Sequence, residues 1–245
     1  MENSNRLGKI IETDCFDEIR SHITENTAIF FDLDNTLVEP VQHFGSVQWG
    51  EHFEKRLLET GKSLKEVEAF LQPYWNGLLP DLSMRLLDQT APNIIRELQQ
   101  KGHLVLGLTA RDPMDAIYTH PLLDQIGIRF ESEYADQKIS MSFPAIFERG
   151  VLFTGIHNSK GESLVALLKQ INHFPQKVLF VDDKLNHVQS LEGPLAELNI
   201  DYIGVRYSKA DKRVQEFDAQ IADLQMQHFP KFISDEEARE MLSPA

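Results

Sequence analysis

Two aspartates separated by a single residue follow a short apolar run near the beginning of the chain. The stretch reads Ala-Ile-Phe-Phe-Asp-Leu-Asp-Asn-Thr-Leu over residues 28–37 and contains Asp32 and Asp34. A carboxylate on the last residue of a buried strand is held rigidly, and a second one two residues later can point back to the same reaction centre. One can attack while the other transfers a proton, a pairing that suits covalent phosphoryl chemistry. The same residue types also form ordinary turns after strands, so this stretch alone leaves both interpretations open.

Four apolar runs rich in strand-forming residues recur along the chain, and each is followed by a polar break and a helical pattern. They lie at residues 28–31, 104–108, 178–181 and 202–205. Strands that alternate with helices are typical of parallel βαβ units, in which helices cover both faces of the sheet. The sequence therefore predicts an α/β fold with a doubly wound, mainly parallel, Rossmann-like sheet.

The interval 41–89 is too long for a plain loop between a strand and the next helix. Ser63 and Glu66 have the spacing of a capping box ahead of an apolar helical pattern, so we expect a small inserted helical cap at 41–89. The core domain then comprises residues 1–40 and 90–245. We expect the aromatic residues of the insert mainly to form its own core, with substrate contact as the alternative. They are Trp49, Phe53, Tyr74 and Trp75.

The sequence supports three further structural expectations less strongly. Residues 131–155 are expected to form a hairpin or an extended edge of the sheet, and the helices from residue 209 onward are expected to pack on the outside of the sheet. Cys15 is the only cysteine, so no internal disulfide can form, and we expect it to be a buried structural thiol.

The chain has 245 residues and a net charge of −14. Binding to nucleic acid or to an anionic membrane surface depends on clustered Lys and Arg, so this charge argues against both kinds of partner. No segment approaches the roughly 20 apolar residues of a membrane span, and no apolar region follows the first residues as in an export signal. We therefore expect a cytoplasmic protein, with an exported form that has lost a leader as the alternative. The sequence does not predict the oligomeric state.

Polar side chains follow three of the predicted strands and begin one predicted helix. In doubly wound sheets, ligands bind outside the carboxyl ends of the strands, so we expect these side chains to meet there. They are Asp32, Asp34, Thr109, Arg111, Lys160, Asp182 and Asp183. Carboxylates about 5 Å apart repel by roughly 3 kcal/mol per pair at an effective dielectric of about 20, so the cluster needs a cation. Ligands that are all oxygen favour Mg²⁺.

These residues, in this order, resemble the four motifs of the haloacid dehalogenase (HAD) superfamily. The similarity covers residues 28 to about 186 and consists of Asp-Leu-Asp-Asn-Thr-Leu, the strand-terminal Thr109, Lys160 and the pair Asp182-Asp183. The Thr-x-Arg turn, the Asn-x-Lys-Gly segment and Asp-Asp-Lys-x-x-Asn further resemble a poorly characterised bacterial group of HAD-like proteins.

The resemblance implies a catalytic role for each of the first two aspartates. Asp32 would be the nucleophile that takes the phosphoryl group as an aspartyl-phosphate. Asp34 would protonate the leaving oxygen and then activate water, and its backbone carbonyl would bind the metal. Dehalogenases of the superfamily lack an acid at this position, which favours phosphate esters over carbon–halide bonds. The absence of membrane spans disfavours the pump ATPases.

The resemblance also implies roles for the remaining residues. Thr109 would bind a phosphoryl oxygen and Lys160 would neutralise charge beside the nucleophile, the alternatives being a helix cap and a solvated lysine. Asp182 would bind Mg²⁺ directly, and Asp183 would be a second ligand or a partner of Lys160. Arg111 is either a phosphate or substrate contact or a surface residue. Asn186 either orients Asp183 or a metal-bound water, or has no such role.

The resulting prediction is a Mg²⁺-dependent phosphatase that acts on a small phosphorylated substrate, with specificity set by the cap. Two alternatives remain open. One is a phosphomutase, in which the intermediate is returned to the substrate. The other is a HAD-like binding or regulatory module with little or no catalytic activity.

Overall fold

The computed structural model describes residues 8–243 and divides into two compact units. Unit 1 combines the residues up to Leu37 with Leu86–Ala210, and unit 2 combines Val38–Arg85 with the residues from Asp211 onward. The strands of the described part are β1 (Lys9–Thr13), β2 (Thr27–Phe31), β3 (Val38–Pro40), β4 (Met84–Leu86), β5 (Val105–Thr109), β6 (Gln137–Lys138), β7 (Ile146–Glu148), β8 (Val151–Phe153), β9 (Lys177–Asp182) and β10 (Asp201–Tyr207).

The helices of the described part include two short 3₁₀ helices, Phe16–His22 and Pro113–Asp115. The α-helices are α1 (Val47–Glu59), α2 (Leu64–Leu78), α3 (Ala91–Gln100), α4 (Ala116–Gln125), α5 (Lys160–Gln170), α6 (Leu185–Ser190), α7 (Glu192–Glu197), α8 (Asp211–Gln215), α9 (Ala219–His228) and α10 (Asp235–Leu242). None of these helices combines the length and the apolar character that crossing a bilayer requires.

The sheet of unit 1 has the strand order β1-β10-β9-β2-β5-β8-β7-β6. Neighbours from β1 to β8 in this order are parallel, and β7 and β6 continue the sheet antiparallel. From the central strand β2 the chain proceeds to β5 and β8 on one side and returns to β9 and β10 on the other. The direction of winding therefore changes at β2, and ligands of such sheets bind outside the carboxyl ends of the strands at this point.

Both faces of the sheet are covered by helices, as the sequence predicts. Ala28 and Phe30 of β2 belong to a buried cluster that includes residues of α5, α6 and α7. The alternate residue Phe31 points to the other face, where its ring stacks on Phe16 of the first 3₁₀ helix with centroids 5.2 Å apart. The predicted doubly wound, mainly parallel α/β fold is thus confirmed.

The four predicted strands correspond to β2, β5, β9 and β10, whereas β1 was not predicted. Within the 131–155 segment, β7 and β8 form the expected hairpin, and β8 also pairs with β5. The expectation for Cys15 was wrong, because its side chain is exposed. Cys15 directly precedes the first 3₁₀ helix, and the next residue, Phe16, is the one that is buried in the core.

Unit 2 is built around α1 and α2, each begun by a serine cap. Ser63 and Glu66 form the predicted capping box of α2. The aromatic residues of the predicted insert pack mainly against one another, with the Trp49 and Trp75 ring centroids 5.0 Å apart. The expectation that the last helices pack on the sheet was wrong, because Ala222 of α9 is buried in this aromatic cluster. The aromatic faces of α1 and α2 thus find apolar partners in the last part of the chain.

Candidate active site

Three carboxylates meet at the carboxyl ends of β2 and β9. Asp32 follows β2 directly, Asp182 ends β9, and each of Asp32, Asp182 and Asp183 offers an oxygen within 4.8 Å of the others. The register of the two strands causes this proximity, because Phe31 lies opposite Val181 and the Asp32 amide donates to the Val181 carbonyl at 2.9 Å. The predicted convergence of the acidic residues is therefore present within unit 1.

Lys160 is the cation at the centre of this cluster. It begins α5, is only 3% exposed, and places its Nζ atom 2.5 Å from Asp32 Oδ1 and 2.7 Å from Asp182 Oδ2. Burial alone lowers the pKa of this amine, but the two carboxylates outweigh burial and raise it above its usual value. Lys160 therefore carries its positive charge between Asp32 and Asp182.

The glycine after Lys160 explains how the amine reaches so deep a position. A Cβ atom on Gly161 would lie 2.0 Å from the carbonyl oxygen of Ser190. Only glycine allows the first turn of α5 to approach the end of α6 this closely. The Lys-Gly dipeptide thus seats the helix start against the neighbouring backbone.

Asp32 is buried and receives a hydrogen bond that the sequence did not reveal. Thr36 Oγ1 donates to Asp32 Oδ2 at 3.2 Å and accepts the backbone N–H of Asp183 at 3.0 Å. Burial raises the pKa of Asp32 to about 6, against the opposing influence of Lys160. Thr36 therefore links the carboxylate after β2 to the loop after β9. The sequence signal was a hydroxyl residue two positions after Asp34 in the same turn.

Asp182 and Asp183 differ strongly in their surroundings. Asp182 accepts the Lys184 amide at 2.7 Å and lies 3.1 Å from His187 Nδ1. Burial opposes its charge, but Lys160 and His187 outweigh it and lower the pKa of Asp182. Burial, Asp32 and Asp182 raise the pKa of Asp183 to about 8. His187 was not predicted, and its signal was a histidine one helical turn after the acidic pair.

Asp34 does not join the three carboxylates but pairs with Arg111. Arg111 Nη2 donates to Asp34 Oδ1 at 2.7 Å, and its Nε donates to Oδ2 at 2.8 Å. Burial opposes ionisation of Asp34, but Arg111 outweighs burial and lowers the pKa of this carboxyl. The structure therefore holds Asp34 as a carboxylate, and Arg111 is nearly buried rather than on the surface.

Two further residues of the segment after β5 surround Arg111. Arg111 Nη1 donates to Thr119 Oγ1 at 3.0 Å, and Asp115 lies close enough to Arg111 for the two charges to interact. Burial raises the pKa of Asp115 to about 6. Its Oδ1 atom is buried and has no hydrogen-bond partner among the described residues. Neither residue was predicted, because in the sequence Asp115 resembles an ordinary helix cap and Thr119 is one polar residue within the helical pattern.

The remaining predicted residues occupy different kinds of position. Thr109 is the last residue of β5, is buried, and accepts the Arg111 amide at 3.2 Å through its hydroxyl. It thus stands at the same sheet edge as the acidic cluster. Asn186 is exposed on α6, and within residues 8–243 no hydrogen bond links its side chain to Asp183. The neighbouring His187 makes the contact to the acidic pair instead.

The charges of the site suit a hard divalent cation. Four carboxylates and two cationic side chains lie together: Asp32, Asp34, Asp182, Asp183, Lys160 and Arg111. When all four carboxylates are ionised, these six side chains carry four negative and two positive charges, an excess of two negative charges in a largely buried region. Oxygen ligands and this excess fit Mg²⁺, which binds through one or two carboxylates. Burial raises the pKa of Asp183, and the neighbouring carboxylates of Asp32 and Asp182 raise it further, so this carboxyl group retains its proton while no further cation compensates the cluster.

Comparisons with known proteins identify relatives of this chain. The model of a family described as "Protein of unknown function (DUF2608)" matches residues 12–239. A Chlamydia trachomatis protein named "Putative outer membrane protein" is 26% identical over 232 residues, which cover 94% of this chain and 88% of that protein. A Rickettsia prowazekii protein named "Uncharacterized protein RP296" is 25% identical over 238 residues, covering 91% and 85% respectively.

Among solved structures, a haloacid dehalogenase-like family hydrolase from Streptococcus pneumoniae resembles this chain with a TM-score of 0.43. The two sequences are 16% identical, and the similarity covers 78% of this chain and 98% of that one.

Proposed function

We propose that this chain, which belongs to the DUF2608 family, is a Mg²⁺-dependent phosphatase that hydrolyses a small phosphate monoester. The observation that carries the proposal is the contact of one buried lysine with two buried aspartates from different strand ends. Lys160 neutralises part of their charge, Asp183 completes the acidic group, and Thr109 lies at the same edge of the sheet. A group of this composition suits an anionic substrate that reacts with a carboxylate.

In the proposed reaction, Asp32 attacks the phosphorus atom and the bond from phosphorus to the leaving oxygen breaks. The leaving oxygen takes a proton from Asp34, and the phosphoryl group remains on Asp32 as an acyl phosphate. Asp34, now ionised, then accepts a proton from a water molecule that attacks the same phosphorus atom. Inorganic phosphate leaves, and the Asp32 carboxylate is restored.

The other residues bind and orient in this scheme. Lys160 and the Thr109 hydroxyl stabilise the charge on the transferring phosphoryl group. Asp32, Asp182 and Asp183, with the backbone carbonyl of Asp34, would hold Mg²⁺, and its positive charge would offset the negative charge that otherwise opposes phosphate binding. Thr36 keeps the Asp32 carboxylate in one orientation through its hydrogen bond.

The pairing of Asp34 with Arg111 fits one half of the reaction better than the other. An ionised Asp34 is ready to accept a proton from water, as the second step requires. In the first step Asp34 must be protonated, so Arg111 has to release it, and the arriving phosphate offers Arg111 an alternative bidentate partner. Arg111 then serves as a substrate contact, as well as a partner of Asp34 before the substrate binds.

The test is hydrolysis of 4-nitrophenyl phosphate with Mg²⁺ and with a chelator, for the natural protein and for Asp32→Asn. We expect Asp32→Asn to remove turnover while the fold persists, and chelation to do the same reversibly. Acid quenching followed by mass spectrometry should find a phosphorylated peptide that contains Asp32. Asp81→Asn is the matched control, because the same chemical change is made at an exposed aspartate of unit 2. Turnover that survives Asp32→Asn would contradict the proposal.

A second candidate function is a phosphate-binding module with little turnover. The observation that favours it is again the pair of Asp34 and Arg111, since a permanently ionised Asp34 cannot protonate a leaving group. Tight binding of a beryllium or aluminium fluoride complex without hydrolysis of any phosphoester would support the module. A product that keeps the original phosphate would indicate a phosphomutase instead.

A further inference from the structure

The exposed apolar side chains of unit 1 are concentrated at one end of its sheet. Among the described residues of this unit, the large hydrophobic side chains with high exposure are Met114 (68%), Ile117 (66%), Phe143 (48%), Ile156 (70%), Phe174 (53%) and Leu185 (47%). All except Phe174 lie in segments at the carboxyl ends of strands, where the candidate active site also lies. We call these five residues, Met114, Ile117, Phe143, Ile156 and Leu185, the apolar rim.

The segments that contain the apolar rim also contain or adjoin residues of the candidate active site. Met114 lies three residues after Arg111, and Ile117 follows it by three, so both are on one side of the first turns after β5. Ile156 lies between the end of β8 and Lys160, and Leu185 comes two residues after Asp183. These segments thus follow strands on both sides of β2, with β5 and β8 on one side and β9 on the other, and Asp32 follows β2 itself.

Hydrogen bonds join the segments on the β5 and β8 side into one surface. The Gly155 amide donates to the Arg111 carbonyl at 3.1 Å, which sets the Ile156 loop beside the segment of Met114. Asn158 Nδ2 donates to the Phe143 carbonyl at 3.2 Å, and the Phe143 ring lies 4.9 Å from the ring of His157. The exposed apolar residues here therefore belong to adjoining loops rather than to scattered points.

Exposed apolar residues that occur singly are normal, but a group of them beside a polar reaction centre indicates a surface that binds an apolar group. A phosphate held by Lys160 and Thr109 must direct the rest of its molecule outward, past the loops at the strand ends. We infer that the apolar rim binds an apolar leaving group, so that the substrate is a phosphate monoester of an alcohol with a hydrocarbon part. This inference rests on the proposed function.

The test compares n-hexyl phosphate with ethyl phosphate at saturating Mg²⁺. The two leaving alcohols have similar acidity, so a difference in KM reports contact with the hydrocarbon part. Each fully buried methylene contributes about fourfold in affinity, and with only part of the chain in contact we expect KM to be roughly tenfold lower for n-hexyl phosphate. The double variant Met114→Ser/Ile156→Ser should lose this preference. Phe174→Ser is the matched control and should retain it.

Binding of n-hexylphosphonate and ethylphosphonate, measured by calorimetry, separates this inference from the proposed function. If neither ester is hydrolysed, the proposed function is wrong. A preference for n-hexylphosphonate that depends on Met114 and Ile156 would still support apolar binding at the rim. Equal KM values for the two esters, with hydrolysis intact, would contradict the inference that the rim binds the leaving group and would not affect the proposed function. A preference that persists in the double variant would also contradict this inference. Sedimentation tests the remaining outcome. If the natural protein is a dimer and the double variant is a monomer, the rim is a contact between copies of the chain, and the inference is wrong.

Discussion

Arg111 donates to both carboxylate oxygens of Asp34, at 2.7 Å from Nη2 and 2.8 Å from Nε. The two residues are 77 positions apart in the sequence, and each follows a strand of the same parallel sheet. A planar guanidinium matches a carboxylate in this geometry, and it favours the ionised form of the acid. The protonation of the proposed acid and base is therefore controlled by an arginine from a different loop.

We predict that Arg111→Lys lowers kcat/KM for 4-nitrophenyl phosphate by about tenfold or more, because an ammonium group cannot replace two parallel hydrogen bonds. Steady-state kinetics with Mg²⁺ provide the measurement. Arg129→Lys is the matched control, since Arg129 is largely exposed and pairs with Asp124 on the surface. Equal activity of Arg111→Lys and the natural protein would show that the bidentate pair has no part in turnover.

The contacts of Lys160 lead to a prediction about stability. Lys160→Met removes the cation that Asp32 and Asp182 share, and breaking a buried ion pair in this way costs about 3–5 kcal/mol. We expect urea unfolding without Mg²⁺ to show a decrease of this size in the free energy of unfolding. With saturating Mg²⁺ the decrease should be smaller, because a bound cation compensates the same carboxylates.

Lys169→Met provides the control for this experiment, since Lys169 lies on the same helix and is exposed. It should leave the free energy of unfolding nearly unchanged, with or without Mg²⁺. A loss in Lys160→Met that is identical in both conditions would indicate that Mg²⁺ does not bind at these carboxylates.

The sequence predicted the sheet and the meeting of the acidic residues for a clear physical reason. Buried parallel strands are continuous apolar runs, and the residues that follow them share one edge of the sheet, so Asp32 and Asp182 could be placed together without coordinates. Contacts that depend on side-chain direction could not be predicted in the same way. Whether Arg111 contacts Asp34 or solvent depends on the conformation of the loop after β5, and the sequence is compatible with both.

The same limit applies to the residues around the acidic pair and to the last helices. Asn186 and His187 are adjacent on α6, so the rotation of this helix about its axis determines which of the two contacts Asp182. In the structure it is His187. The helices after residue 209 carry apolar faces that fit either the sheet or the aromatic residues of α1 and α2. Periodicity shows that such a face is buried, but it does not identify the surface that covers it.

Asp115 gives a prediction about pH. Burial raises the pKa of Asp115 to about 6, whereas the unfolded chain has an ordinary aspartate pKa near 3.9. Between these values the unfolded state releases the proton while the folded state keeps it, so the natural protein loses stability as the pH rises from about 4 to about 6. Asp115→Asn cannot ionise and avoids this loss. We expect its Tm to equal that of the natural protein near pH 4 and to exceed it at pH 7 and above.

Thermal unfolding in matched buffers from pH 4 to pH 8 measures this difference. The side-chain amide oxygen of the introduced asparagine can still accept the Asp112 N–H, so the helix start is preserved in the variant. Asp81→Asn serves again as the control and should show no difference that grows with pH. A Tm difference that is constant over the whole range would assign the effect to packing rather than to ionisation.

Thr36 leads to the last prediction, because its hydroxyl connects two loops of the site. It donates to Asp32 at 3.2 Å and accepts the Asp183 amide at 3.0 Å, and its side chain is fully buried. Thr36→Val keeps the shape of the side chain but leaves the partly buried N–H of Asp183 without this partner, and a donor that water cannot reach costs about 1–3 kcal/mol when left unpaired. We expect urea unfolding to show this loss and kcat to fall, since the Asp32 carboxylate is no longer held in one orientation.

Thr36→Ser separates the hydrogen bonds from the shape of the residue. Serine retains the hydroxyl and loses only a methyl group, so kcat should stay close to that of the natural protein although some stability is lost through the small cavity. The two variants are therefore expected to differ in kcat more than in the free energy of unfolding. Equal reductions of kcat in both would mean that the methyl packing of Thr36, rather than its two hydrogen bonds, positions Asp32 relative to Asp183.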